Sequence, residues 1–246
     1  MYAEDLIKKP FPDVKVGIGS ASKNDNSAKS AAAYRNVTVY TDPDLLVNDL
    51  YEGKIDAAVR GDMSSSVLLP KLKEKFGLTD LQRVVLLQPE GKKLIFVAPV
   101  GIDEGWTAGQ KYDLAVGSIK LMRKLGMGEK IAVMSGGRKD DRGRNPLVDI
   151  SIDNALEVTD LLKEDGYDAY HAEILIESAS DEADLIIAPD GISGNLIFRT
   201  LHFLGGAMAL GAPVINMDKV FIDTSRVKTD YTDSIALAMK LTERMK

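Results

Sequence analysis

The stretch from residue 183 to residue 211, ADLIIAPDGISGNLIFRTLHFLGGAMALG, decides the fold class of this chain. Residues 184–188 form a short apolar run that suits a buried strand and is too short for a helix. Pro189 and Gly191 end that run, and Ser193 is a favourable residue for the start of a helix. The helix carries residues at helical spacing: Leu196, Ile197, Thr200, Leu201 and Leu204. The stretch therefore predicts a strand, a glycine-bearing loop and a helix.

The loop between that strand and helix is a candidate anion site. Ligands of open α/β sheets lie beyond the carboxyl ends of the strands, where helix N-termini offer N–H groups. Candidate residues for binding a phosphate there are Asp190, Gly191, Gly194 and Asn195. The alternative is a structural turn in which the two glycines only permit the backbone geometry.

Strand-like runs and helical patterns alternate along the rest of the chain. The predicted strands include residues 14–19, 36–40, 55–59, 130–134, 213–216 and 220–223, and the predicted helices include residues 107–125, 149–162 and 232–245. Two further β-rich runs, 83–88 and 93–98, are joined by Pro-Glu-Gly-Lys and predict a hairpin. The alternation predicts a doubly wound α/β architecture with a mostly parallel sheet and right-handed crossovers.

Composition excludes several classes of protein and site. A net charge of −6 and a pI near 5.1 argue against broad binding to nucleic acid or to anionic membranes. The absence of cysteine removes disulfides, thiolate metal sites and cysteine nucleophiles, and neither His171 nor His202 has a partner at metal-ligand spacing.

Gly17 and Gly19 lack the third glycine of a dinucleotide fingerprint. Because the first residues lack a signal-peptide pattern and the apolar run 203–215 is shorter than a membrane span, we expect a cytoplasmic protein.

Basic residues follow two other predicted strands. Arg60 follows the strand 55–59 and precedes Ser64 and Ser65, and a guanidinium can bind two phosphate oxygens at once. The alternative for Arg60 is an ion pair with a neighbouring Asp.

The loop SGGRKDDRGRNP, which begins at residue 135, is the longest irregular polar stretch in the chain. Its candidate phosphate-binding residues are Ser135, Gly136, Gly137 and Arg138. A loop of this kind can fold over a phosphorylated substrate. The alternative is a solvated loop in which Asp140 and Asp141 offset the basic residues.

Four separated motifs resemble, in the same order, segments of the phosphate acetyl- and butyryltransferases. They are residues 56–61 with the serines that follow, the turn 89–91, the strand 131–135 with its basic loop and PLVD, and the C-terminal segments from Pro189-Asp190 to Ile222-Asp223-Thr-Ser225-Arg226. The compact length and the GDMSSS and PDGISGN variants most resemble the methanogenesis marker protein 4 family, a methanogen family related to those acyltransferases and often labelled as methyltransferases.

The resemblance implies a two-lobed, three-layer α/β fold of the isocitrate/isopropylmalate dehydrogenase type. One lobe would comprise residues 1–80 and 216–246, the other residues 81–215, with the ligand cleft between them. The resemblance also implies a small phosphorylated substrate, with a coenzyme A thioester as a second substrate rather than a tightly bound cofactor. A homodimer is one option for the assembly.

The resemblance further implies roles for three residues near the C-terminus. Arg226 would bind phosphate, Ser225 would donate a hydrogen bond to the carbonyl oxygen or the departing sulfur, and Asp233 would orient Arg226 or accept a proton. From the residues alone, Ser225 and Arg226 would form a cap and a salt bridge beside the last helix. Two other functions stay open: a methyltransferase-related activity, and a binding protein without catalysis on the same fold.

Overall fold

A computed structural model describes residues 1–8, 13–21 and 26–245 of the chain. The elements up to residue 76 are α1 (Ala3–Ile7), β1 (Val16–Gly19), α2 (Asn26–Ala31), β2 (Val37–Tyr40), α3 (Pro43–Tyr51), β3 (Ala57–Val59) and α4 (Ser65–Phe76). The middle elements are β4 (Val85–Gln88), β5 (Ile95–Ala98), α5 (Ala108–Leu125), β6 (Ile131–Met134), α6 (Pro146–Glu164), β7 (Ala169–Glu173), α7 (Ile176–Glu182) and β8 (Leu185–Ile187). The last are α8 (Gly191–Arg199), which continues as a π-helical turn (Thr200–Leu204), β9 (Met208–Pro213), β10 (Val220–Asp223) and α9 (Thr232–Met245).

The chain forms two compact units. The first unit comprises Glu4–Leu81 and Leu210–Lys246, and the second comprises Met1–Ala3 and Gln82–Ala209. Strands alternate with helices in both units, the pairing is mostly parallel, and helices lie on both sides of the strands. The predicted α/β fold class is therefore confirmed.

In the first unit the strands lie in the order β2-β1-β3-β10-β9. All the pairings are parallel except that of β9 with β10. Val59 of β3 lies beside Ile18 of β1 on one side and Ile222 of β10 on the other. Because these three strands are parallel, they end at the same edge, and the loops that follow them leave that edge together.

The core of the first unit packs α3 and α4 against these strands. The buried cluster includes Leu46, Leu50, Leu68, Leu72 and Phe221, each of which has no exposed surface. Burying one such side chain stabilises a fold by about 1.5–3 kcal/mol relative to leaving it exposed. The cluster thereby fixes the strands whose ends carry the loops described below.

In the second unit the strands lie in the order β4-β5-β8-β6-β7. The predicted hairpin is confirmed, since β4 and β5 pair antiparallel, whereas β5, β8, β6 and β7 are parallel to their neighbours. Ile187 of β8 lies beside Ala98 of β5, and Val133 of β6 is likewise paired with Ile187. The loops after β8 and β6 therefore leave adjacent strands at the same edge.

The predicted helix at residues 107–125 is confirmed, and its ends show why. The Thr107 side chain accepts a hydrogen bond from the Gln110 N–H, and the Gln110 side chain accepts one from the Thr107 N–H. The helix ends at Gly126, whose φ of 69° is left-handed and is readily adopted only by glycine.

The start of α8 differs from the sequence prediction. Asp190, not Ser193, caps the helix: the Asp190 carboxylate accepts the Ser193 N–H at 2.8 Å and the Ser193 hydroxyl at 3.1 Å. The aspartate is preferred because it lies one residue before the first helical turn, where its oxygens reach the unpaired N–H groups.

The packing face of α8 is formed by its glycines. Gly191 and Gly194 are its buried residues, and a Cβ on Gly194 would lie 1.9 Å from Pro99 O. The leucines whose spacing predicts the helix do not form its buried face. Leu196 is 60% exposed and Leu204 is 84% exposed. The strand predicted at residues 213–216 is also wrong, because β9 spans Met208–Pro213.

Candidate functional site

In the first unit, Arg60 joins the loop that follows β3 to the end of β10. Its backbone N–H donates to Ile222 O at 2.9 Å, its Nε donates to the Asp223 carboxylate, and its Nη1 donates to Met63 O at 2.6 Å. Its side chain is only 7% exposed. The sequence makes Arg60 a candidate phosphate ligand, but the guanidinium has protein partners, as in the alternative of an Arg paired with an Asp.

Ser64 and Ser65 lie where the loop after β3 enters α4. Ser64 precedes the helix and its Oγ lies 2.8 Å from the Oγ of Ser66, while Ser65 is the first helical residue. The Oγ1 of Thr224, in the loop after β10, donates to Gly61 O at 2.8 Å. This bond links the loop that leads to the two serines with the loop that carries Ser225 and Arg226.

The loop between β10 and α9 holds Ser225 and Arg226 in a tight turn. The Lys228 N–H donates to Ser225 O at 3.2 Å, and the Tyr231 hydroxyl donates to the same oxygen at 3.0 Å. Tyr231 is fully buried, so it anchors the turn to the core. Arg226 is exposed, and within the described part of the chain its guanidinium makes no hydrogen bond or ion pair. The salt bridge of the alternative interpretation is therefore not seen among those residues.

Asp233 and Lys228 are two titratable groups of this segment whose pKa values are perturbed. Asp233 lies half-buried in the first turn of α9. Burial raises the pKa of the Asp233 carboxyl, the Lys228 ammonium opposes that increase, and Asp230 adds to it. Burial lowers the pKa of Lys228, against the effect of the Asp233 and Asp230 carboxylates. Such perturbed groups concentrate at functional sites, which makes this segment the candidate site of the first unit.

Lys228 is a residue that sequence reasoning missed. A single lysine in a polar loop is usually solvated, and nothing in its spacing distinguishes it. Its Nζ instead donates to the Oγ of Ser234 at 3.4 Å, and Ser234 is completely buried at the start of α9. Its position two residues after Arg226 is the one signal that the sequence contains.

In the second unit, the residues predicted after β8 are bonded to their own fold. The Gly191 N–H donates to Glu104 O at 3.0 Å, and the Asn195 Nδ2 donates to Val100 O at 2.9 Å. Asp190 uses its carboxylate to cap α8. These contacts match the alternative interpretation of the loop as a structural turn.

The loop after β6 begins with a buried serine. The Ser135 Oγ donates to Gly137 O at 2.8 Å, and the Gly136 N–H donates to the Ser151 Oγ at 2.8 Å. Ser135 has no exposed surface, whereas Arg138 is exposed. Of the four residues predicted here, Arg138 is the one with a charged side chain, and that side chain is accessible to a ligand from solvent.

The other arginines of this loop have acidic partners. Arg144 pairs with Asp141, and Arg142 pairs with Asp153 in α6. All four side chains are at least partly exposed, so each pair adds little to stability. The pairs fit the alternative in which acidic residues offset the charge of a solvated loop.

His171 of β7 lies beside the buried serine, an association that sequence reasoning did not find. Its Nε2 lies 2.8 Å from the Ser135 Oγ, and its buried Nδ1 has no hydrogen-bond partner within the described ranges. Burial lowers the pKa of His171, an effect to which Lys139 and Arg142 add and which Glu173 opposes. The Ser135 N–H donates to Glu173 O at 2.9 Å, and Glu173 has a left-handed φ of 56°.

Sequence comparison places this chain among methanogen proteins. A Methanosarcina mazei protein named "Putative methyltransferase mtx subunit X" is 44% identical over 201 residues, which are 81% of this chain and 72% of that protein. The chain belongs to the mtx subunit X family. A Methanocaldococcus jannaschii relative, named as an uncharacterized methyltransferase, is 36% identical over 227 residues, covering 86% of this chain and 89% of that protein. No protein-family model matches the chain.

Solved structures show which fold this mtx subunit X family protein has. A phosphotransacetylase from Streptococcus pyogenes superposes with a TM-score of 0.74 at 16% identity, covering 98% of this chain and 97% of that one. A branched-chain phosphotransacylase from Enterococcus faecalis superposes with a TM-score of 0.71 at 16% identity, covering 97% of this chain and 94% of that one. A 4-hydroxythreonine-4-phosphate dehydrogenase from Klebsiella pneumoniae superposes with a TM-score of 0.60 at 10% identity, covering 92% of this chain and 88% of that one. The expected fold of the isocitrate dehydrogenase type and the resemblance to acyltransferase relatives are confirmed.

Two features are absent from the described part of the chain. None of the described helices has both the length and the apolar character that crossing a bilayer requires. Among residues 1–8, 13–21 and 26–245, no cluster of three or more His, Asp or Glu side chains could hold a metal ion.

Proposed function

We propose that this protein transfers an acyl group between a thioester and phosphate. The observation that carries the proposal is the loop between β10 and α9. It presents the exposed Arg226 next to Ser225 and leads into Asp233, in a chain that has the phosphotransacetylase fold. The remaining support comes from the chemistry that these three side chains can perform.

Acyl transfer to phosphate needs binding and charge neutralisation rather than a covalent enzyme intermediate. A phosphate oxygen attacks the thioester carbonyl carbon, the new C–O bond forms and the C–S bond breaks. The proton of monohydrogen phosphate ends on the departing thiolate, so the products are an acyl phosphate and a thiol. A chain without cysteine can therefore support this reaction.

Each of the three residues has a role in this proposal. The Arg226 guanidinium binds two phosphate oxygens, a geometry that a guanidinium matches better than an ammonium does. The Ser225 hydroxyl donates to the carbonyl oxygen or to the leaving sulfur. The Asp233 carboxylate accepts a proton, and burial favours this role because it raises the pKa of Asp233 above its ordinary value.

The thioester in this proposal is a coenzyme A thioester that binds as a substrate and is not retained as a cofactor. Arg138, exposed after β6, is proposed separately as a phosphate-binding cation of the second unit. Arg60 is left out of the phosphate site because Asp223 and Met63 already occupy its guanidinium.

A turnover assay tests the proposal. Coenzyme A thioesters of increasing acyl length are incubated with phosphate, and thiol release and acyl phosphate formation are measured together. The wild type and the control Val227→Ala, at a residue that is 63% exposed, are expected to release thiol only when phosphate is present. Arg226→Ala is expected to lose that release. A wild type that releases no thiol with any thioester would contradict the proposal.

Methyl transfer is the second candidate, because the relatives are named as methyltransferases. The sequence has no recognisable glycine-rich motif for a sulfonium methyl donor. Calorimetric titration with S-adenosylmethionine distinguishes the candidates. Binding of that donor with no response to phosphate would favour methyl transfer, and the reverse result would favour acyl transfer.

A further inference from the structure

The carboxylate of Asp233 has an unusual setting for a half-buried charge. Within the described part of the chain, no hydrogen bond or ion pair reaches it. Buried or half-buried carboxylates are normally paired or hydrogen-bonded, because removing a charge from water is costly. A carboxylate left without such a partner can accept a proton from a ligand.

The neighbouring acidic and phenolic groups are already engaged. Asp230 accepts the Thr232 N–H at 2.8 Å, the Thr232 hydroxyl and the Ser30 hydroxyl at 3.2 Å. The Tyr34 hydroxyl donates to Thr232 O at 3.1 Å. Among the residues that the structure describes, Lys228 is the one cation that acts on Asp233, and Asp230 is held in a structural role.

Lys228 is placed between the turn and the helix. Its backbone N–H closes the turn on Ser225 O, and its Nζ donates to the Oγ of Ser234, the residue that follows Asp233. An ammonium can donate three hydrogen bonds, so it can contact a ligand as well as protein groups. The Lys228 ammonium is therefore bonded to the residue that follows Asp233, at the point where the turn that carries Arg226 leads into α9.

We propose that Lys228 and Asp233 together bind monohydrogen phosphate, with Lys228 donating to a charged oxygen and Asp233 accepting the P–OH proton. This inference rests on the proposed acyl transfer and assigns its proton path. As the phosphate oxygen bonds to the carbonyl carbon, the P–OH proton passes to Asp233. When the C–S bond breaks, Asp233 returns that proton to the thiolate, so no proton is gained or lost.

The inference predicts a preference that charge alone does not give. Methylphosphonate carries two negative charges, as monohydrogen phosphate does, but has a methyl group in place of the P–OH. Both anions can bind Arg226 and Lys228, but only phosphate can donate to Asp233. The wild type should therefore bind phosphate about 10-fold or more tightly than methylphosphonate, the size expected for one hydrogen bond to a charged group.

The test is calorimetric titration of the chain with inorganic phosphate and with methylphosphonate, at a pH above the second pKa of both anions. Lys228→Met should weaken both anions by about 10-fold or more and keep their ratio, whereas Asp233→Asn should bring the ratio close to one. Lys228→Arg should retain binding, and Thr229→Ala, at the next exposed residue, is the control. Thermal unfolding checks that each variant is folded.

Two results separate failure of this inference from failure of the proposed function. Loss of phosphate binding in Arg226→Ala, with wild-type binding of both anions in Lys228→Met, would overturn the role of Lys228 and leave the acyl-transfer proposal standing. A wild type that binds neither anion would overturn both. If Lys228→Met does not fold, equal affinity of the wild type for the two anions would still overturn the inference.

Discussion

The guanidinium of Arg60, at the end of β3, donates through Nε to the carboxylate of Asp223, at the end of β10. The two residues are 163 positions apart in the chain, and their side chains are only 7% and 13% exposed. The pair therefore holds the end of β3 against the end of β10, from which the candidate phosphate loop departs. We propose that the pair positions that loop.

Breaking this pair should destabilise the first unit. Arg60→Ala removes the guanidinium from a largely buried carboxylate that still accepts the Thr224 N–H at 2.9 Å, and we expect the free energy of unfolding to fall by about 3–5 kcal/mol in urea denaturation. The exposed pair of Lys71 and Asp44 is the matched control, and Lys71→Ala should cost at most about 1 kcal/mol. Full stability of Arg60→Ala together with weakened phosphate binding would restore Arg60 as a ligand.

The glycine face of α8 makes a second prediction about stability. A Cβ on Gly194 would lie 1.9 Å from Pro99 O, a contact that backbone must move to relieve. Gly194→Ala should therefore lower the unfolding midpoint sharply or prevent folding. A Cβ on Gly109 in α5 would have no atom within 4 Å, so Gly109→Ala should be neutral or stabilise by up to about 1 kcal/mol. Equal stability of both variants would show that α8 does not pack on its glycines.

The partly buried His171 predicts a pH dependence. Burial lowers the pKa of His171 below its ordinary value of 6.5, so the unfolded chain binds a proton that the folded chain does not. The stability that neutral His171 contributes is therefore fully present above pH 6.5. It is lost as the pH falls through the lowered pKa of the folded chain. His171→Gln should remove this component of the acid destabilisation measured by urea denaturation at several pH values. Identical pH profiles for the wild type and the variant would contradict this assignment.

Much of the fold could be predicted because local patterns determine it. The helix at residues 107–125 has a capping Thr107 and a terminal Gly126, and the hairpin has two β-rich runs around a short turn. Such signals lie within a few residues of the element that they specify. The same holds for the strand-loop-helix unit around Asp190, where only the capping residue and the packing face differed.

What could not be predicted depends on partners far away in the chain. The glycine face of α8 depends on Pro99, which precedes Gly194 by 95 residues, and the Arg60 partner is supplied by β10. The burial of Lys228 depends on how its turn meets α9. The segment 225–233 was found through family resemblance, but which of its groups lack partners became visible only in three dimensions.

Phosphate titration of Arg226→Ala by calorimetry tests the central claim most directly. We predict that the wild type and Val227→Ala bind phosphate equally, while Arg226→Ala loses about 2–3 kcal/mol of binding free energy without a change in unfolding midpoint. Equal phosphate affinity in the wild type and Arg226→Ala would contradict the claim that the loop between β10 and α9 binds phosphate.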